Sequence, residues 1–232
     1  MPSRAASPFD GLAVWVVHCR HLMDRRTACL ASLRGVGLDA RWMEWGDPED
    51  LGLGYWLGRV RQPRLTRGQV SVYAKQLAVW RQIAGSAAPA LVLEDDPVFP
   101  PGFAERFASY LADAPPAWDL LFLGASCGLE APADPGRVHW ARASRTRSLS
   151  GYLITADAAA RLHAALERLP IQRPVDHAVD AIAGELGLRL YWSVPALIEN
   201  GTETGRFQSS LRGGAWRRRD LVRWLSRVLP RW

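Results

Sequence analysis

Residues 12–19 read LAVWVVHC, an apolar run with no polar position before His18. A continuous β-rich run of this kind predicts a strand buried on both faces. A helix is predicted from about Met23 to Arg34, closed by Gly35 and Gly37, with a short strand around Ala40–Trp45. Strand, helix and strand in this order make a βαβ opening. GDPEDLGLG (46–54) reads as a loop. From Gln69 to Ala84, Val70, Tyr73, Leu77, Trp80 and Ile83 recur three and four apart as the core stripe of a helix. Ser71 and Lys75 share a different, polar face of that helix. APALVLEDD supplies the next strand, Phe103–Ala112 a helix, and DLLFLG (119–124) a strand running into the loop GASCG. SGYLITA (150–156) is a strand, and Asp157–Leu169 a helix with Arg161 and Arg168 outward. After QRPVD come a helix over 176–186, a last strand RLYWSVPALI (189–198) and the polar loop ENGTETGRFQSS. Strands alternating with helices, without internal repeat, predict a single α/β domain over 11–212. Its central sheet is expected to be mostly parallel, with helices on both faces. Residues 1–10 are read as a disordered N-terminal arm.

Composition narrows this picture. With 48% hydrophobic and 22% charged residues, 232 residues suit one sizeable core. No apolar run approaches the roughly 20 residues that span a bilayer, and MPSRAASPFDG lacks the apolar stretch of a signal peptide. The expected location is cytoplasmic. Cys19, Cys29 and Cys127 lack metal-ligand spacing and are read as reduced and structural. The net charge of +6 is concentrated at one end. Residues 216–232 hold six arginines and one acid, Asp220, leaving the body close to neutral, so no nucleic-acid partner is expected.

In 213–232, Leu221, Trp224, Leu225 and Val228 fall at helical spacing, with Arg219, Arg223 and Arg227 on another face. Such a basic amphipathic helix suits an anionic membrane surface, peripheral on the inner face, and equally a terminal helix packed on the domain. Arginine is a habit of this chain, in which Lys75 is the only lysine.

The candidate chemistry lies in LVLEDDPVF (91–99), where an apolar strand runs into Glu94, Asp95 and Asp96. Three adjacent carboxylates at the end of a buried strand call for a cation to offset them, and a metal or phosphate-metal site is the first expectation. In α/β sheets ligands bind beyond the carboxyl ends of strands, where His18–Arg20 and Gly124–Ser126 are also placed.

Four segments in order resemble glycosyltransferase family 25, the lipopolysaccharide-type galactosyl- and glucosyltransferases: AVWVVHCRHLMDRRTACLASLRGVGLDARWMEW, SVYAKQLAVWRQIAGSAAPALVLEDDPVFPPGF, WDLLFLG with SLSGYLITADAAARL, and RPVDHAVD with YWSVPALIENGTETGRFQSSL. Together they cover about residues 12–212. The resemblance implies a nucleotide-sugar-binding fold of the GT-A type, a divalent cation (Mn²⁺ or Mg²⁺) and a UDP-sugar donor. It also implies hexose transfer to a saccharide or other hydroxyl acceptor. The chemistry agrees, since hard oxygen ligands hold an ion that neutralises a departing pyrophosphate.

Asp96 is the expected metal ligand, Asp95 a metal or ribose contact, and Glu94 an orienting residue or a donor-sugar contact. Asp176 matches the aspartate of the family's Pro-x-Asp element. It is read either as the base for the acceptor hydroxyl or as a helix N-cap. Asp180, four residues on, shares its face. Arg25, Arg26 and Lys75 are candidates for the donor's phosphates, and His18 and Gly124 for the donor site. Many family members carry Ser-His where this chain has Lys75-Gln76, a departure that bears on the sugar and the acceptor. Two other classes remain: a non-catalytic relative that docks through its basic tail, and a metal-dependent phosphohydrolase.

Overall fold

The computed structural model describes residues 7–125 and 139–208. In chain order its elements are β1 (Ala13–Val17), α1 (Met23–Gly35), β2 (Arg41–Met43), α2 (Leu53–Arg59), α3 (Arg67–Ala84), β3 (Ala90–Glu94), β4 (Pro97–Val98) and α4 (Phe103–Ala112). They continue with β5 (Leu120–Phe122), β6 (Gly124–Ala125), β7 (Trp140–Ala143), β8 (Gly151–Ile154), α5 (Ala156–Arg168), α6 (Val175–Ile182), β9 (Leu190–Ser193) and β10 (Ile198–Asn200).

Seven strands form a mixed, mostly parallel sheet in the order β2-β1-β3-β8-β5-β9-β7. β8 and β7 run against the other five. Helices cover both faces, which is why the inner strands are apolar at every position. Leu91 and Leu93 pack with Cys29 and Leu33 of α1 and Phe103 and Phe107 of α4. Val92, between them, belongs to the opposite cluster with Tyr73 and Trp80 of α3 and Leu162 of α5. A capping box of Thr66 and Gln69 fixes the start of α3.

Several expectations are corrected. The loop from 46 ends at Gly52, and α2 begins at Leu53, its helical pattern masked by Gly54 and Gly58. β7, with the mixed sequence WARA, was not legible as a strand and forms the sheet edge against β9. The predicted strand 189–198 is two strands. β9 stops before Pro195, which has no N–H for the ladder, and β10 joins a second sheet of order β4-β10-β6. Phe9 is buried and stacks on Phe103, ring centroids 5.9 Å apart, so residues 7–10 belong to the packed domain rather than to an arm. The tail 213–232 and Cys127 lie outside the described residues; Cys19 and Cys29 are free thiols. Among the described residues no helix is long and apolar enough to cross a membrane.

The topology itself places the site. From β1 the chain passes through α1 to β2 on one side, then returns through α2 and α3 to β3 on the other side of β1. The crevice at the carboxyl ends of β1 and β3 is thus a topological switch point, where open α/β sheets bind ligands.

Candidate functional site

β3 ends at Glu94, Asp95 and Asp96 follow, and β4 begins at Pro97. β4 pairs antiparallel with β10, setting Asn200 opposite Pro97 and so laying the segment after β10 across the three carboxylates. Gly201 N–H donates to the Asp96 carbonyl at 2.8 Å. A Cβ at Gly201 would come within 3.0 Å of that oxygen, so the close approach favours glycine.

Each carboxylate has its own environment. Asp95 is buried and spends both oxygens: Oδ2 on Nδ1 of His18 at 2.8 Å, Oδ1 on Nη1 of Arg25 at 2.7 Å. Because the carboxylate accepts, His18 Nδ1 carries the proton, which leaves Nε2 buried without a hydrogen-bond partner among the described residues. Asp96 Oδ2 accepts from Thr202 N at 2.9 Å and Thr202 Oγ1 at 2.5 Å, with Arg25 Nη2 at 3.5 Å. Arg25 reaches these acids from the first turn of α1. It also donates to Thr202 Oγ1 at 2.6 Å and the Gln208 carbonyl at 3.2 Å, and it lies over the Phe207 ring.

Arg25 is therefore the resident counter-cation of the acidic strand end. Among the described residues Glu94 has no such partner, its side chain meeting Asn200 Nδ2 at 3.4 Å. Burial first, then the charges of Asp96 and Asp95, push its carboxyl up to about 8; Arg25 opposes the shift and Asp176 adds to it.

That last contribution ties α6 to the site: Asp176, 82 positions after Glu94 in the chain, is close enough for its charge to act on Glu94. Asp176 is not the N-cap. The cap position is Pro174, which has no side-chain bond, and among the described residues Asp176 Oδ1 accepts from His177 N–H at 2.9 Å.

The remaining candidates are engaged elsewhere. Lys75, expected on a polar helix face, is fully buried; Nζ meets Asp47 Oδ1 at 2.9 Å and the carbonyls of Glu44 at 2.8 Å and Trp45 at 3.2 Å. Its bonds made inside the protein, it holds the loop after β2 and is not presented to a phosphate. Burial raises the Asp47 carboxyl, but Lys75 and Arg20 outweigh it and keep the group below the usual carboxylate range. Arg26 pairs with Glu44 and stacks on Trp42. Asp180 Oδ1 accepts from Thr146 N–H at 2.6 Å and braces the loop before β8. Gly124 is where β6 passes Ser150, whose Oγ would lie 2.6 Å from a Cβ there.

For a divalent cation the donor set is small. Among the described residues no three His, Cys, Asp or Glu side chains gather into a ready-made cage. Asp95 already uses both oxygens on His18 and Arg25, so it would join a metal only alongside those partners. Asp96 Oδ1 and the Glu94 carboxyl are not so engaged, and Mg²⁺ or Mn²⁺ commonly uses one or two carboxylates with substrate phosphates and water. The residues thus fit an ion that Asp96 would hold in part, the described residues offering no complete cage.

Sequence reasoning did not single out Thr202, Asn200 or Arg147, whose guanidinium is buried under β9 and donates to the Ser193 carbonyl at 2.8 Å. Only the Asn-Gly-Thr turn gave a signal, in hydroxyl and amide groups beside a glycine. No family model matches this chain, and no curated protein matches it.

Proposed function

We propose that the chain transfers a hexose, galactose or glucose, from a UDP-sugar to a hydroxyl of a saccharide or lipid-linked acceptor, with inversion, on a GT-A-type domain. The observation that carries this is the meeting of Glu94, Asp95, Asp96 and Arg25 at the β1–β3 switch point, with Asp176 of α6 near enough for its charge to act on Glu94.

The acceptor oxygen attacks the anomeric carbon as the bond from that carbon to the diphosphate oxygen breaks. UDP departs with the bonding pair, and the hydroxyl proton passes to a carboxylate. Asp176 suits that role: its charge acts on Glu94, and it has one carboxylate oxygen free of hydrogen bonds to the described residues. Glu94, held up to about 8, is mostly protonated at neutral pH and can donate a hydrogen bond to a sugar hydroxyl. Asp96 Oδ1 is the group to hold a Mn²⁺ or Mg²⁺, whose chemistry when bound is to neutralise the leaving diphosphate. His18 and Arg25 hold Asp95 in place, and Thr202 orients Asp96.

A non-catalytic binding module is the second reading, favoured by one observation: Arg25 pairs with both Asp95 and Asp96 and so offsets part of their charge from within the protein. UDP release from a panel of UDP-sugars, with Mn²⁺ or EDTA and with Asp96→Ala, separates the two. Metal-dependent turnover of one sugar that is lost in the variant is the expected result. No turnover, together with no metal-dependent UDP binding by calorimetry, would sink the transfer reading.

A further inference from the structure

Trp45 follows the edge strand β2 and is 52% exposed, an uncommon setting for the largest side chain. Single exposed apolar residues are ordinary on protein surfaces; the unusual feature is how firmly this one is held. Its backbone carbonyl accepts from the fully buried Lys75 at 3.2 Å, and the same ammonium takes the Glu44 carbonyl at 2.8 Å and Asp47 Oδ1 at 2.9 Å. Ser71 Oγ donates to the Gly46 carbonyl at 2.7 Å, while Asp50 Oδ2 accepts from Gly46 N–H at 2.9 Å and Asp47 N–H at 3.1 Å. Arg20 clamps Asp47 and Asp50 together at 3.0 and 2.7 Å. Gly46 sits at φ +101°, and a Cβ there would meet Lys75 Cγ at 3.1 Å. The indole itself makes no hydrogen bond or ring contact with the described residues.

Burying the chain's only lysine to fix a loop that then holds a tryptophan in solvent is a costly arrangement for a surface residue with nothing to bind. A flat ring on a backbone that has already lost its freedom is a preorganised stacking surface. Its position indicates the occupant. β2 and β3 flank β1, so their carboxyl ends are about 10 Å apart at the usual strand spacing. A ligand with phosphates at the β1–β3 crevice and a planar group one ribose away reaches from Asp96 and Arg25 to the end of β2.

We propose that Trp45 is the stacking platform for the nucleobase of a nucleoside diphosphate whose phosphates lie at the β1–β3 crevice, an assignment that rests on the donor reading given above. Stacking on a tryptophan face is tolerant of base identity and is lost with the ring.

The test is calorimetric titration of the full chain in Mn²⁺ with UDP and, separately, with inorganic pyrophosphate, for the unaltered protein, Trp45→Ala and Trp45→Phe. Circular dichroism checks that each variant is folded. The expected result is UDP affinity about tenfold weaker in Trp45→Ala, largely kept in Trp45→Phe, with pyrophosphate affinity the same in all three. Equal UDP affinity in Trp45→Ala would overturn the platform while leaving the transfer reading standing. A parallel loss of UDP and pyrophosphate would also overturn it, by assigning Trp45 a structural role. Failure of the unaltered chain to bind UDP at all would overturn both.

Discussion

At the scale of single residues, neighbouring charges of one sign have been given different tasks by their surroundings. Asp95 is an anchor because His18 and Arg25 take its two oxygens, whereas Asp96 keeps Oδ1 clear and Glu94 keeps its proton. The raised Glu94 carboxyl has a consequence for stability. A group that holds its proton to higher pH in the folded than in the unfolded state stabilises the fold fully below the unfolded value, near 4.5, and that contribution is lost as pH rises towards about 8. In EDTA, Glu94→Gln should therefore melt a few degrees above the unaltered protein at pH 9 and close to it at pH 4, read by a thermal scan at both. An unchanged difference across the two pH values would contradict the assignment. Lys75 makes a second case. Lys75→Met leaves Asp47 buried opposite an apolar chain, and urea unfolding should show a loss of about 3–5 kcal/mol, as for other broken buried pairs. A loss under 1 kcal/mol would mean that Asp47 finds water or leans wholly on Arg20.

At the scale of elements, the site depends on close passages of backbone. β6 runs beside the start of β8, where Ser150 Oγ fills the space a side chain at 124 would need. Gly124→Ala should cost about 1–3 kcal/mol, the usual range for overpacking, and adding Ser150→Ala should return part of it in a double-mutant cycle. Simple additivity of the two substitutions would argue that they do not meet. The antiparallel contact of β4 with β10 does similar work, since it carries Thr202 to Asp96 and Asn200 to Glu94. Neither strand is longer than three residues, and neither was legible as a separate element. Their pairing is decided by Pro97 and Pro195 breaking the longer runs and by the space beside Gly201.

At the scale of the whole molecule, a two-faced sheet sets the crevice, and a ligand held there should stabilise the entire domain. UDP with Mn²⁺ at a hundred times its dissociation constant adds about 2.7 kcal/mol, which for a chain of this size is a rise in melting temperature on the order of 5–10 °C. Asp96→Ala should abolish that rise; a rise that survives it would place the ligand elsewhere. Much of this architecture is present in the sequence. Unbroken apolar runs such as LVL at 91–93 and LLFL at 120–123 occur because strands covered on both faces need apolar residues at every position, and amphipathic α3 announces itself by spacing alone. The acidic strand end was legible on separate grounds, because three carboxylates closing an apolar run need cations or hydrogen-bond donors to offset them. Tertiary structure decided what local pattern cannot encode: which charges meet. A polar position on a helix stripe does not distinguish a solvated lysine from one buried under a loop, so Lys75 and Asp47 were separated in the sequence and joined in the fold. Likewise Arg25, Asp95 and Thr202 lie 70 and 107 positions apart in successive steps along the chain, and only the order of strands at the switch point makes them a single site.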